Sequence, residues 1–118
     1  MKFTVNVILV LMFLGSVAMH GDAATNPQNI SIHAKRFSFQ PSEITIYKGE
    51  TVKLELTSDD VPHSLLVQQL NINSTITKGH TTEVSVTPQQ AGDFHGKCGR
   101  FCGTGHGSMT FVVHVVER

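Results

Sequence analysis

An all-β sandwich is the fold class this sequence predicts, and three observations predict it. Short stretches alternate apolar and polar residues, as in Val52-Lys-Leu54-Glu-Leu56. Turn signals such as Lys48-Gly49-Glu50 and Gln90-Ala91-Gly92 separate those stretches at regular intervals. No segment keeps a helical period over three turns. Seven or eight short strands in a 118-residue chain point to one domain, an antiparallel β-sandwich.

Taken in order, Ile30-Ser-Ile32 and Phe37-Ser-Phe39 alternate before Pro41, and Ile44-Thr-Ile46-Tyr47 runs into the Gly49 turn. Val52 to Leu56 has the clearest period of two. Asp59-Asp60-Val61-Pro62 breaks it, and His63-Ser-Leu-Leu-Val67 resumes. Val84-Ser-Val86 precedes Pro88, a run from Gly92 to Lys97 follows, and Met109 to Val116 closes the chain as a β-branched strand. The apolar faces of Val52, Leu54 and Leu56 and of Phe111, Val113 and Val115 are the expected core.

The first residues have a different character. Lys2 is followed by an apolar run from Val5 to Val17 and then by small residues up to Ala24. That run is short for a membrane-spanning helix, which needs roughly 20 apolar residues. A basic start, a short apolar stretch and small residues describe a secretory signal peptide over 1–23, cleaved after Ala18 or Ala23; an uncleaved N-terminal anchor is the alternative. A polar lead-in over 24–29 and a single domain over 30–118 complete the organisation. Export places the domain in the periplasm or another oxidising, extracytoplasmic compartment. Lysine plus arginine and aspartate plus glutamate balance at nine each, so no bulk charge draws the chain to nucleic acid or an anionic membrane.

Both cysteines fall in one glycine-rich stretch, Cys98-Gly-Arg-Phe-Cys102-Gly-Thr-Gly-His106-Gly-Ser-Met109. Three readings compete. A disulfide would close a very short loop for little entropic gain and leaves His106 and Met109 unused. Zinc would take Cys98, Cys102, His106 and a distant histidine, with no use for a thioether. Copper suits thiolate, imidazole and thioether together. The second thiolate then calls for another metal ion to bridge, and a second histidine must come from elsewhere. His63, held behind Pro62 at the start of a strand, is the candidate. His33 and His80 read as surface residues, His95 as a possible neighbour of the ligands, and His114 as solvated. The glycines from Gly96 to Gly107 allow the tight path that such a loop needs.

Pro62-His63-Ser after Asp59-Asp60, with Cys98-x-x-x-Cys102-Gly-x-x-His106-x-x-Met109 behind Gly92-Asp-Phe94, resembles the CuA domain. This is the binuclear copper cupredoxin of cytochrome c oxidase subunit II and nitrous oxide reductase. Phe37-x-Phe39-x-Pro41-x-x-Ile44, Lys48-Gly49-Glu50 and Asn71-Ile72-Asn73 add to the likeness, which runs from about Ile30 to Glu117.

The resemblance implies a cupredoxin-like Greek-key sandwich and a centre of two copper ions. Cys98 and Cys102 would bridge them, His63 and His106 would each cap one, Met109 would bind one weakly, and the Arg100 backbone carbonyl the other. Arg100 stands where many oxidase subunits carry a glutamate that helps hold magnesium. A guanidinium only donates, so that magnesium site is not expected here. The absence of tryptophan removes the family's tryptophan-rich electron inlet, and no firm membrane span is present. The function implied is a single-electron carrier, not an enzyme by itself, exchanging electrons with a cytochrome c or a terminal oxidase. A Cu(I) chaperone or storage protein with a copper-delivery partner, and a soluble subunit II-like oxidase component, are the alternatives.

Overall fold

The computed structural model describes residues 28–118; the expected signal segment and the cleavage points lie outside the described residues. Among these, nine strands appear in the order β1 Gln28–Lys35, β2 Ser38–Gln40, β3 Glu43–Tyr47, β4 Val52–Ser58, β5 His63–Val67, β6 Ile72–Ile76, β7 Thr82–Val86, β8 Gly92–Cys98 and β9 Thr110–Val116. Single helical turns at Gln68–Leu70 and His106–Ser108 interrupt them.

The strands form two sheets, β2-β1-β4-β7 and β3-β9-β8-β5-β6. Alternation decides which side of each strand faces inward. Val52, Leu54 and Leu56 of β4 are buried, and Phe111, Val113 and Val115 of β9 meet them from the other sheet. The expected core is therefore the observed one, joined by Ile32, Phe39, Ile46, Leu65 and Ile76. Phe39 and Phe111 lock the two sheets edge to face, with centroids 5.7 Å apart.

Three details differ from the sequence reading. The sheets are mixed, because β1 pairs with β4 and β3 pairs with β9 in parallel. Parallel partners are far apart in sequence, and alternation within a strand carries no record of its neighbour's direction. Strand β6 was not expected: its burial does alternate, but the middle position of its covered face is Ser74, so no apolar period of two shows in the sequence. Strand β1 begins at Gln28, inside the polar lead-in expected to reach residue 29, because its edge pairs in register with Val52 and Lys53.

His114, expected to be solvated, is two-thirds covered and joins two strands: Nδ1 lies 2.6 Å from Asp93 of β8 and Nε2 3.5 Å from Glu43 of β3. The Asp93 hydrogen bond raises its pKa above the ordinary 6.5, against a smaller opposing effect of burial, and Glu43 adds to the rise. A raised folded-state pKa contributes stability that is complete below the unfolded value and is lost as pH rises through the folded one. His114→Gln should therefore lower the urea midpoint near pH 6, where the carboxylates are still ionised, and match the wild type near pH 9. Equal differences at both pH values would show that the pairs contribute nothing through charge.

Candidate metal centre

The strand register brings the sequence-predicted ligands to one end of the second sheet. β5 and β8 run antiparallel with Leu65 opposite Cys98, so the first residue of β5, His63, sits at the edge where β8 ends. β8 and β9 are antiparallel too, and the Cys98 N–H donates to the Met109 carbonyl at 3.0 Å. The loop from Gly99 to Ser108 spans these two strand ends and folds Cys102 and His106 back over them.

Cys98 and Cys102 are both free thiols, buried, with sulfurs 3.9 Å apart. Each thiol faces one imidazole and one further donor. The Cys98 sulfur is 4.0 Å from His63 Nδ1 and 3.1 Å from the Arg100 carbonyl oxygen. The Cys102 sulfur is 3.8 Å from His106 Nδ1 and 3.8 Å from Met109 Sδ. His63, Cys98 and Cys102 hold their ligand atoms within 4.8 Å of one another, and His106 stands outside that trio. Burial and the adjacent Cys98 push the Cys102 thiol up to about 11, so without a cation it keeps its proton at neutral pH.

The donor set fits a pair of soft ions. Two donors sharing one tetrahedral first-row ion, with bonds of about 2.0–2.3 Å, lie about 3.3–3.8 Å apart. The sulfur–nitrogen and sulfur–sulfur separations are within a few tenths of an ångström of that range. A single tetrahedral zinc would need both imidazoles around one point and would leave the Met109 thioether, buried beside Cys102, outside the ligand set as a core side chain only.

A cupredoxin-like domain family matches residues 5–111 of the sequence. The chain belongs to the cupredoxin-like family. It is 30% identical over 95 residues to cytochrome c oxidase subunit 2 of Thermus thermophilus, covering 79% of this chain and 70% of that one. It is 45% identical over 70 residues to a probable cytochrome c oxidase subunit 2 of Streptomyces avermitilis, covering 59% of this chain. The cupredoxin-like chain spans only 22% of that relative's length. Its fold superposes on the periplasmic domain of subunit II of cytochrome oxidase from Bradyrhizobium japonicum with a TM-score of 0.71 at 19% identity, over 76% of this chain and 84% of that one. Among the described residues no helix is long and apolar enough to cross a membrane.

Several residues that shape this cupredoxin-like site were given no role there by the sequence: Asp60 and Phe37 stood only in the stretches that carry the resemblance, and Arg36 in none. Asp60 accepts from the His63 ring at Nε2, 2.8 Å away, which turns Nδ1 toward Cys98. Such an outer hydrogen bond fixes ring orientation and tautomer. Burial alone would raise the Asp60 pKa, but the Arg36 N–H, the His63 ring and the Val61 N–H outweigh it and hold the carboxyl at about 2. Arg36 also donates Nε–H to the Cys102 carbonyl at 3.0 Å, so one residue of the β1–β2 turn braces both halves of the site. Phe37 packs its ring on the loop so closely that a methyl at Gly105 would lie 2.5 Å from it, and one at Gly103 2.9 Å. His95 lies exposed on the outer face of β8 and does not neighbour the ligands, because alternation turns it away from Phe94 and Gly96. His33 and His80 are exposed, as expected.

Proposed function

We propose that this chain is an exported, copper-binding electron carrier whose centre is of the binuclear CuA type. The observation that carries the reading is the matched pair of half-sites, each a buried thiol with one imidazole and one weaker donor. Cys98 and Cys102 would bridge two copper ions, with His63 and the Arg100 carbonyl on one side and His106 and Met109 on the other. When bound, a copper pair with thiolate bridges takes up and releases single electrons with little change in geometry. The chain's own residues do the rest. Asp60 and Arg36 hold ligands in place, the sandwich core keeps the strand ends rigid, and burial of Cys98, Cys102 and Met109 beneath an otherwise exposed loop keeps bulk water from the sulfurs. Both thiols must give up their protons to the solvent as metal enters.

The likeness to oxidase subunit 2 supports a place beside a respiratory oxidase, with a cytochrome c or the oxidase itself as redox partner. The folded domain begins with β1 at Gln28, behind a signal peptide at 1–23, and the protein works in the periplasm or an equivalent compartment, with no catalysis of its own. A Cu(I) chaperone is the competing class, since soft donors also favour the reduced ion.

The full chain, loaded with copper under anaerobic conditions, should bind two copper ions. Its one-electron-oxidised form should show paramagnetic hyperfine splitting from two equivalent nuclei. It should exchange electrons with a reduced cytochrome c while keeping its copper in the presence of a metal-free acceptor domain. Splitting from one nucleus, or copper passing to the acceptor with no electron exchange, would replace this reading by a mononuclear site or a copper carrier.

A further inference from the structure

The loop that holds the thiols also presents a surface of its own. Phe101, between Arg100 and Cys102, is 75% exposed; among the described residues the other exposed large apolar side chain is Val116, at 37%. The Phe101 ring centroid lies 5.9 Å from that of His106. Beside it a shallow pocket of about 240 Å³ opens between Arg36, Val61, Pro62, Arg100 and Phe101. A lone exposed phenylalanine is ordinary. An aromatic flanked by two arginines at the rim of a pocket over a candidate metal centre has the composition of an interface core.

The charges around the pocket are lopsided. Lys48, Lys53 and Arg118 are paired with Glu117, Glu83 and Glu50. Among the described residues, Arg36 and Arg100 have no carboxylate partner within ion-pair distance of their guanidinium groups. Arg36 directs Nε–H to a neutral carbonyl, that of Cys102. Asp60 is engaged by His63 and by the N–H groups of Arg36 and Val61, which leaves Asp59 as the exposed acid on the neighbouring loop. No acidic side chain lines the pocket. With a formal net charge of zero, any steering of a partner has to come from such a local patch.

We propose that Phe101, Pro62 and the two arginines form the docking surface for an acidic electron-transfer protein, one whose redox centre reaches an apolar edge ringed by carboxylates. The phenylalanine and proline meet the apolar edge, and Arg36 and Arg100 meet the ring. This assignment rests on the electron-carrier reading, and docking there sets the partner against the residue that separates Arg100 from Cys102.

Binding is measured directly, so that it does not depend on electron exchange. The copper-loaded full chain is titrated with an acidic and with a basic cytochrome c, followed by nuclear magnetic resonance shifts and calorimetry. At low ionic strength the acidic cytochrome should bind about tenfold tighter or more, and the preference should shrink toward about 0.15 M salt, where charges are screened beyond about 8 Å. Phe101→Ala should weaken that binding by about tenfold, as for an interface anchor. Arg100→Glu should reverse the preference, and a copper spectrum unchanged in Phe101→Ala would assign its effect to the surface. Equal binding of both cytochromes, tighter binding of the basic one, or a dimer of this chain that dissociates on Phe101→Ala would overturn the proposal. A chain that binds the acidic cytochrome yet forms no paired centre would keep the docking surface and remove the electron-carrier reading instead.

Discussion

Cys102→Ser is expected to remove the paired copper signal altogether and to lower copper affinity by more than the roughly 10–100-fold lost with an outer hydrogen-bond partner. The reason lies in where the sulfur stands. It is within 3.9 Å of the Cys98 sulfur, the His106 ring and the Met109 thioether at once, so it belongs to both halves of the site. A serine hydroxyl is a hard donor that keeps its proton, and it cannot replace a bridging thiolate. Cys98→Ser should do the same. The metal-free protein should still fold, because the new hydroxyl finds the Ser64 N–H and the Arg100 carbonyl that now contact the Cys98 sulfur. Met109→Leu is the contrast. It keeps the volume and loses only a weak donor, so both ions should remain while the reduction potential moves. Copper competition titrations, paramagnetic resonance and far-ultraviolet circular dichroism on the three variants decide the matter. A cysteine variant that keeps two coupled ions while Met109→Leu loses them would reverse the ligand assignment.

The legibility of this site in the sequence follows chain distance. Cys98, Cys102, His106 and Met109 occupy one stretch, so their spacing alone suggested a soft-metal centre, whereas the Arg100 carbonyl entered only through the CuA resemblance. His63 was found through Pro62 and the strand restart, a local signal pointing at a remote partner. Arg36 left no such trace, and Asp60 showed only as part of the break before His63, with nothing to say that it holds the ring. Their contacts with His63, with each other and with the Cys102 carbonyl depend on how the β1–β2 turn and the β4–β5 break meet in space. The strands divide in the same way. β4 and β9 announce themselves because each buries apolar residues at alternate positions, whereas β6, at the edge of its sheet, hides because a half-covered serine, Ser74, stands between its two buried isoleucines. Parallel pairing of β1 with β4 and of β3 with β9 is a property of the assembled sheets and of no single segment.

Phe111→Ala should cost the metal-free domain about 3–5 kcal/mol, the usual range for emptying a buried aromatic site. Phe111 is 0% exposed, its ring meets Phe39 edge to face across the sandwich, and its backbone lies opposite Gly96 on β8. Gly96 cannot fill the void from its own strand, and an added methyl there would already lie 2.6 Å from Val67 Cγ2. Against a total stability of roughly 5–15 kcal/mol this is a large fraction. The thermal midpoint should fall by upwards of about 12 °C for a domain of this size. The same strand starts one residue after Met109, so a loosened β9 also loosens a ligand. Metal should then counter part of the loss. A ligand that binds only the folded chain adds about 2.7 kcal/mol at a free concentration 100 times its Kd. Melting curves with and without copper should show a larger gain on loading for Phe111→Ala than for the wild type if metal also re-orders the strand end. Val116→Ala, at a partly exposed position on the same strand, should stay within about 0.5 kcal/mol of wild type. If Phe111→Ala melted no earlier than Val116→Ala, the inter-sheet contact would not be what holds the ligand-bearing strand ends in place.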